Sequence, residues 1–152
     1  MPQEDSNEEI RKSFFLKLDE EIKRAKVAGT LICLELDANS KLGPVIVPGD
    51  PHPQSRNGKF LENLLYENDL IVVNSLDLCD GKITRYRKTT KRTEKSILDF
   101  FIVCKSFLSL ITNMIVDEAR KYSLTKFSTK NGQKSVKESD HNVRSGFKYS
   151  MK

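Results

Sequence analysis

Apolar residues recur at helical spacing in the first part of the chain. Ile10, Phe14, Leu18 and Ile22 stand four positions apart and place one apolar stripe along a helix. The Ser-x-x-Glu pattern at 6–9 is a capping box, and the glycine at 29 is a helix stop. The pattern therefore predicts an amphipathic helix over 6–26.

Apolar runs predict strands further along the chain. Residues 30–36 are almost continuously apolar, which favours a central strand buried on both faces. Residues 57–67 return to helical spacing, with Asn57 as the expected cap, and 70–74 form a second apolar run. A strand–helix–strand unit with short turns predicts a parallel pair with a right-handed crossover, and so an α/β fold.

Proline and polar residues separate these elements from the rest. Residues 39–58 contain four prolines, which exclude a helix or central strand and predict a long surface loop. Shorter apolar runs predict strands over 83–86, 96–103 and 113–117, and a helix over 105–111. Residues 145–152 are expected to be a disordered basic tail.

Basic residues gather around one predicted hairpin. The 152-residue chain has a net charge of +5, and within 82–95 seven bases face a single acid, Glu94. They are Lys82, Arg85, Arg87, Lys88, Lys91, Arg92 and Lys95. Such a patch suits a polyanionic partner such as nucleic acid, but a solvated hairpin has the same composition.

Two further features concern the compartment. No apolar run approaches the roughly 20 residues of a membrane span, so we expect no membrane partner. Cys33, Cys79 and Cys104 are widely scattered and match neither a disulfide framework nor a zinc spacing. This usage indicates a reducing compartment, nuclear or cytoplasmic.

Polar residues end or interrupt two of the predicted strands, and a third polar group lies near the C-terminus. Asp37 and Asn39 follow the first strand, where an open α/β sheet places ligands and where an Asx-turn is the alternative. Asp99 lies inside an apolar run and needs a buried partner. His141, within the polar run 139–142, suits that carboxylate, although a polar turn would have a similar sequence.

This combination can carry out metal-assisted phosphoryl transfer. A carboxylate orients water, a divalent ion neutralises the phosphate, and an imidazole held by a second carboxylate stabilises the transition state. Thr84, Arg85, Arg87 and Lys88 are the candidate phosphate contacts, or else polar residues of a solvated hairpin. The segments are distant in sequence, so the fold has to bring them together.

Three motifs resemble the C-terminal motifs of the endonuclease/exonuclease/phosphatase superfamily. They are Leu36-Asp37-Ala38-Asn39, Ser96-Ile97-Leu98-Asp99-Phe100 and Ser139-Asp140-His141. The order and the segment at 57–61 are similar to endonuclease domains encoded beside reverse transcriptases in non-LTR retroelements. The resemblance implies the C-terminal half of a four-layer α/β sandwich, a mixed sheet with helices on one face. The expected domain spans 1–144, with the N-terminal helix over 6–26 and the motif-bearing sheet over 30–142.

The resemblance also implies a role for each motif residue. Asp37 positions the attacking water, Asn39 hydrogen-bonds the scissile phosphate, and Asp99 orients His141, which contacts the phosphate. Asp140 helps to bind Mg²⁺ or Mn²⁺. The implied partner is nucleic acid, with DNA as the substrate.

Two departures from the superfamily pattern affect these expectations. Leu36 stands where the superfamily usually has glycine, and the chain begins at a helix that follows the N-terminal half in other members. That half carries an asparagine and the principal metal-binding glutamate. We therefore expect weak or no activity alone, and an open apolar sheet face that favours self-association or a partner supplying the missing half. A non-catalytic nucleic-acid-binding or protein-interaction module is the alternative.

Overall fold

The structure, a computed structural model, has an α/β fold and describes residues 1–88, 93–117, 143–144 and 146–151. The helices are α1 (Glu8–Val27), α2 (Arg56–Glu67) and α3 (Lys105–Leu108). The strands are β1 (Cys33–Asp37), β2 (Leu70–Val72), β3 (Cys79–Asp80), β4 (Arg85–Lys88), β5 (Thr93–Ser96), β6 (Asp99–Cys104), β7 (Ile111–Asp117), β8 (Val143–Arg144) and β9 (Gly146–Met151). None of the described helices has the length and apolar character that a membrane span requires.

The two long helices pack against each other and form one layer. α1 starts after Asn7, whose side chain accepts a hydrogen bond from the Glu9 N–H at 2.9 Å, so the cap lies one residue after the predicted Ser6. The Phe15 ring stacks on Phe60 of α2, with ring centroids 5.4 Å apart. Phe15 is buried at this contact and Ile22 is buried as predicted, whereas Ile10 of the predicted stripe is 59% exposed.

The start of α2 differs from the sequence prediction by two residues. Ser55 is the cap, because its hydroxyl accepts the Gly58 N–H at 3.1 Å. Asn57 is instead the second residue of the helix, where it is fully buried. Its side-chain amide donates to the Pro2 carbonyl at 2.9 Å and its backbone N–H donates to the Glu4 carboxylate at 3.0 Å. The N-terminal segment is therefore fixed to the first turn of α2.

The main sheet has the strand order β1-β6-β2, and both outer strands pair antiparallel with β6. β1 and β2 therefore run parallel, as predicted, but β6 lies between them. β1 is the edge strand of this sheet and its Glu35 is exposed, so the prediction of a central strand was wrong. The strand predicted over 96–103 corresponds to β6, which begins three residues later, at Asp99, because Ser96 is the last residue of β5.

Successive residues of β6 enter two different apolar clusters. Phe100 and Ile102 pack with the α1 and α2 residues, whereas Phe101 and Val103 pack with residues of β7. All four are 0% exposed. The open apolar sheet face that we expected is thus covered at β6, because β7 supplies a second layer from within the same chain.

The remaining strands form two further small sheets, with orders β3-β7-β9 and β5-β4-β8. β9 pairs antiparallel with β7 from Gly146 to Met151, so the structure differs from the expected disordered tail. In the sequence, Phe147, Tyr149 and Met151 alternate with polar residues. This period of two is typical of a strand, so the sequence does contain a signal for β9.

Candidate functional site

The end of β1 and the start of β6 bring two of the predicted site residues together. Asp37 and Asp99 are directly opposite each other in the antiparallel ladder. Side chains at such opposed positions leave the sheet on the same face, with Cβ atoms about 4.5–5.5 Å apart. Asp37 is half-buried and Asp99 is buried. Two carboxylates therefore meet at one corner of the main sheet.

Asn39 lies immediately beyond this corner. The ladder continues for one residue, because the Ala38 N–H donates to the Leu98 carbonyl at 2.8 Å. Asn39 then has a φ of 41°, in the left-handed region that asparagine tolerates better than most residues. The chain turns here, so Asn39 does not continue the extended backbone of β1. Asn39 is half-buried and lines the pocket described below.

Two buried polar side chains hold the backbone around Asp99. The Thr84 hydroxyl oxygen accepts the N–H groups of Leu98 and Asp99, at 2.9 and 3.1 Å. The Asn74 side chain donates to the Asp99 carbonyl at 3.3 Å and accepts the Phe101 N–H at 2.8 Å. Thr84 and Asn74 are both 0% exposed. In this conformation they act on the backbone, and they fix the direction in which the Asp99 side chain leaves β6.

The basic residues predicted to contact phosphate lie along β4. Arg85 and Arg87 stand two positions apart in this strand, so their side chains leave it on the same face. Arg87 is exposed and lies opposite Glu94 of β5, whereas Arg85 is half-buried. Lys88 is the last residue of β4. The structure thus brings Arg85 to the same side of the fold as Asn39.

A pocket of about 260 Å³ joins these elements. Its lining includes Glu4, Asn39, Ser40, Lys41, Ser55 and Arg85. A larger pocket of about 320 Å³ lies between α1 and α2, and its walls are mainly apolar. None of the predicted site residues lines that second pocket, so the pocket beside Asn39 is the one that belongs to the candidate site.

The comparison with solved structures concerns the fold as a whole. The chain matches the endonuclease domain of TRAS1, a telomere-specific non-LTR retrotransposon, with a TM-score of 0.58 over 90% of its length. The fold is that of an endonuclease domain. Sequence identity to that domain is 18%, and this chain covers 51% of it, so it spans about half the length of the endonuclease structure that it matches. No protein-family model and no curated protein matches the chain.

The endonuclease fold raises the question of a metal ion. Asp37 and Asp99 offer carboxylate oxygens, which are the ligands that Mg²⁺ prefers. However, the described residues contain no group of three or more His, Cys, Asp or Glu side chains that could hold a metal. Asp140 and His141, the other two predicted members of the site, lie outside the described residues.

Sequence reasoning missed several residues that shape the site. Asn74 is a polar residue at the end of the apolar run 70–74, and this position was the one sequence signal for its hydrogen bonds to the β6 backbone. Lys41 reaches the pocket from just beyond the Leu36–Asn39 motif, and Glu4 reaches it from an N-terminal segment that carries no motif. Glu4 meets α2 through a hydrogen bond to a residue 53 positions away, and nothing local in the sequence indicates such a contact.

Proposed function

We propose that this chain is an endonuclease-type domain that cleaves phosphodiester bonds of DNA in a divalent-metal-dependent reaction, with weak activity on its own. The observation that carries the proposal is the Asp37–Asp99 pair, with Asn39 beside it, at one corner of a sheet in an endonuclease fold. Paired carboxylates suit the orientation of water and of an imidazole. The pair lies next to a pocket with basic residues, where a phosphate can approach.

Each residue has one role in this proposal. Asp37 orients the attacking water and accepts its proton. The Asn39 amide donates a hydrogen bond to a non-bridging oxygen of the scissile phosphate. Asp99, held by Thr84 and Asn74, fixes the ring of His141, which stabilises the charge that develops on the phosphate.

The nucleic-acid contacts follow from charge. Arg85 and Arg87 leave β4 on one face, and Lys88 follows in the same strand. Guanidinium groups bind phosphate oxygens through paired N–H donors, and an ammonium binds them as a point charge. DNA is the proposed substrate because the matched structure belongs to the endonuclease domain of a retrotransposon. Metal dependence, on Mg²⁺ or Mn²⁺ with Asp140 as a ligand, is part of the proposal.

Nicking of supercoiled plasmid tests the proposal. The chain is incubated with Mg²⁺ or Mn²⁺, with EDTA in a parallel reaction, and compared with the Asp37→Asn and His141→Ala variants. Metal-dependent nicking that both variants lose supports the proposed site. Nicking that persists in EDTA, or in both variants, would assign the activity to a contaminant or to other residues and contradict the proposal.

A non-catalytic DNA-binding module is the second candidate, and one observation favours it. Arg85 and Arg87 leave β4 on the same face, and phosphate contacts of this kind need no metal ion. Catalysis requires the metal, whereas phosphate binding requires only low salt. DNA retention that EDTA leaves unchanged, without nicking at any metal concentration, identifies this second candidate.

A further inference from the structure

The pocket beside Asn39 has a net positive lining. Lys41 and Arg85 contribute two positive charges, and Glu4 contributes one negative charge, which leaves one positive charge in excess. Lys41 is half-buried and takes part in none of the ion pairs found in the described ranges. A half-buried ammonium without a carboxylate partner favours an anion in the adjacent space. A phosphodiester carries a single negative charge, which the Lys41 ammonium can neutralise.

The loop that carries Lys41 is fixed before any ligand arrives. The Lys41 N–H donates to the Ser55 hydroxyl at 3.0 Å, and the Ser55 N–H donates to the Lys41 carbonyl at 2.9 Å. At Gly58 a Cβ atom would lie 2.0 Å from the Lys41 carbonyl oxygen, so only glycine allows this approach. A rigid loop loses little conformational entropy on binding, which favours a preformed site.

An anionic oxygen already occupies one end of this pocket. The Glu4 carboxylate accepts the N–H of Asn57, in the first turn of α2, at 3.0 Å. In addition, the Ser40 residue lining the pocket is 1% exposed, and its hydroxyl has no hydrogen-bond partner among the residues described here. A buried hydroxyl without a partner costs free energy that a ligand oxygen can recover. The Ser40 hydroxyl therefore favours a ligand that presents an oxygen acceptor, whereas the Glu4 carboxylate opposes an anion for as long as it stays in the pocket.

We propose that this pocket binds a backbone phosphate of the nucleic acid, next to the scissile position. Lys41 is the principal contact, and Glu4 is an acidic side chain that weakens binding until the phosphate displaces it. The inference rests on the proposed function for the identity of the nucleic acid. It does not require that the chain be catalytically active.

The test measures DNA binding in EDTA, so that catalysis plays no part. A short fluorescein-labelled DNA duplex is titrated with the full chain at several salt concentrations, and affinity is followed by fluorescence anisotropy. Lys41→Ala is expected to reduce the slope of log K against log[salt] by about 0.9, the value for one lost phosphate contact. Glu4→Gln keeps an oxygen for the Asn57 N–H but removes the charge, and is expected to tighten binding about two- to fivefold.

A control and a second readout separate this inference from the proposed function. Lys17→Ala removes an exposed lysine of α1 that does not line the pocket, and it is expected to leave the salt slope unchanged. Inorganic phosphate titrated against the ¹⁵N-labelled chain is expected to shift the amide signals of 39–41 and 55–58, and less so in Lys41→Ala.

If Lys41→Ala binds DNA with an unaltered slope of log K against log[salt], the pocket does not bind phosphate, and the proposed function stays intact. A phosphate response without DNA binding would overturn the nucleic-acid assignment, and with it the proposed function. Plasmid nicking without a phosphate response at these amides would contradict phosphate binding in the pocket and leave the proposed nicking activity in place.

Discussion

Asp37 and Asp99 face each other across the β1–β6 ladder, at the point where one strand ends and the other begins. Like charges at opposed positions destabilise a sheet, so the pair is an unusual choice for a purely structural corner. The backbone of Asp99 is meanwhile held on both sides by the buried side chains of Thr84 and Asn74. This corner of the sheet therefore brings two carboxylates together and holds the backbone of one of them on both sides.

Thr84→Val tests whether the fold needs the hydrogen bonds between the Thr84 hydroxyl and the backbone at Leu98 and Asp99, which we call the Thr84 clamp. Valine has the shape of threonine but no acceptor, so the buried N–H groups of Leu98 and Asp99 lose their bonds to Oγ1. We expect the free energy of unfolding to fall by about 2 kcal/mol, the cost of buried unsatisfied donors. Urea denaturation followed by circular dichroism measures this change.

The matched control for the clamp is Thr84→Ser, which keeps the hydroxyl and removes one methyl group. It is expected to retain most of the stability that valine loses. If both variants are equally destabilised, packing of the methyl group and not the hydrogen bonds accounts for the role of Thr84. Any plasmid nicking by the parent chain should also survive better in the serine variant than in the valine variant.

The same clamp explains one part of the fold that sequence patterns did not reveal. Periodicity predicted α1 and α2, because each buries one stripe of apolar residues in a single core. It also predicted one strand over 96–103, since that run is almost continuously apolar. In the structure β6 begins only at Asp99, where the Thr84 hydroxyl accepts the N–H groups of Leu98 and Asp99. This contact comes from a side chain 15 positions away, so the periodicity of the run does not reveal it.

The strand order and the site follow the same reasoning. Both faces of β6 are buried. It is accordingly the central strand of the main sheet, between β1 and β2. The convergence of Asp37 and Asp99 could be predicted because polar residues at strand ends stand out from apolar runs. Their register could not be predicted, since it depends on how β6 packs between two layers.

Gly58→Ala tests the close approach of the Asn39–Lys41 loop to α2. Alanine is normally the better helix former by roughly 0.5–1 kcal/mol. Here its Cβ atom would lie 2.0 Å from the Lys41 carbonyl oxygen, which is part of the backbone and cannot rotate away. We expect a net loss of about 1–3 kcal/mol, as for other overpacked sites.

Thermal denaturation measures the effect of Gly58→Ala, and Lys59→Ala is its control. Lys59 is the next residue of the same helix and is exposed, so its replacement is expected to change stability by less than about 0.5 kcal/mol. A Gly58→Ala variant as stable as the parent chain would show that the loop can move away from α2. The pocket would then lack the rigidity argued for above.

Cys79 is expected to be a slow-reacting thiol. Burial raises its pKa to about 11, and the thiol donates a hydrogen bond to the Gly81 carbonyl at 3.3 Å. At pH 8 only about one thiol in a thousand is then ionised, and the thiolate is the reactive form. Alkylation by iodoacetamide at pH 8, located by peptide mass mapping, should modify Cys79 far more slowly in the native chain than in urea. Equal rates in both conditions would show that the site is open.

The contact between Asp19 and Asn68 gives the fold a pH dependence. Hydrogen bonds from Lys23 and from the buried Asn68 amide, both at 2.6 Å, lower the pKa of Asp19 below its ordinary value of 3.8. A carboxylate with a lowered pKa in the folded state stabilises the fold above the unfolded-state pKa. That contribution is lost as the pH falls through the folded-state value. The link between α1 and the end of α2 should therefore weaken below about pH 4.

Asp19→Asn isolates this contribution, because it removes the charge but keeps an oxygen for the Asn68 amide. The difference in unfolding free energy between the parent chain and this variant should be constant from neutral pH down to about pH 4, and should shrink below it. Glu21→Gln is the control, since Glu21 bonds only to Arg24 on the exposed face of α1 among the described contacts. A difference that stays constant through the acid range would mean that packing, and not the Asp19 charge, joins the two helices.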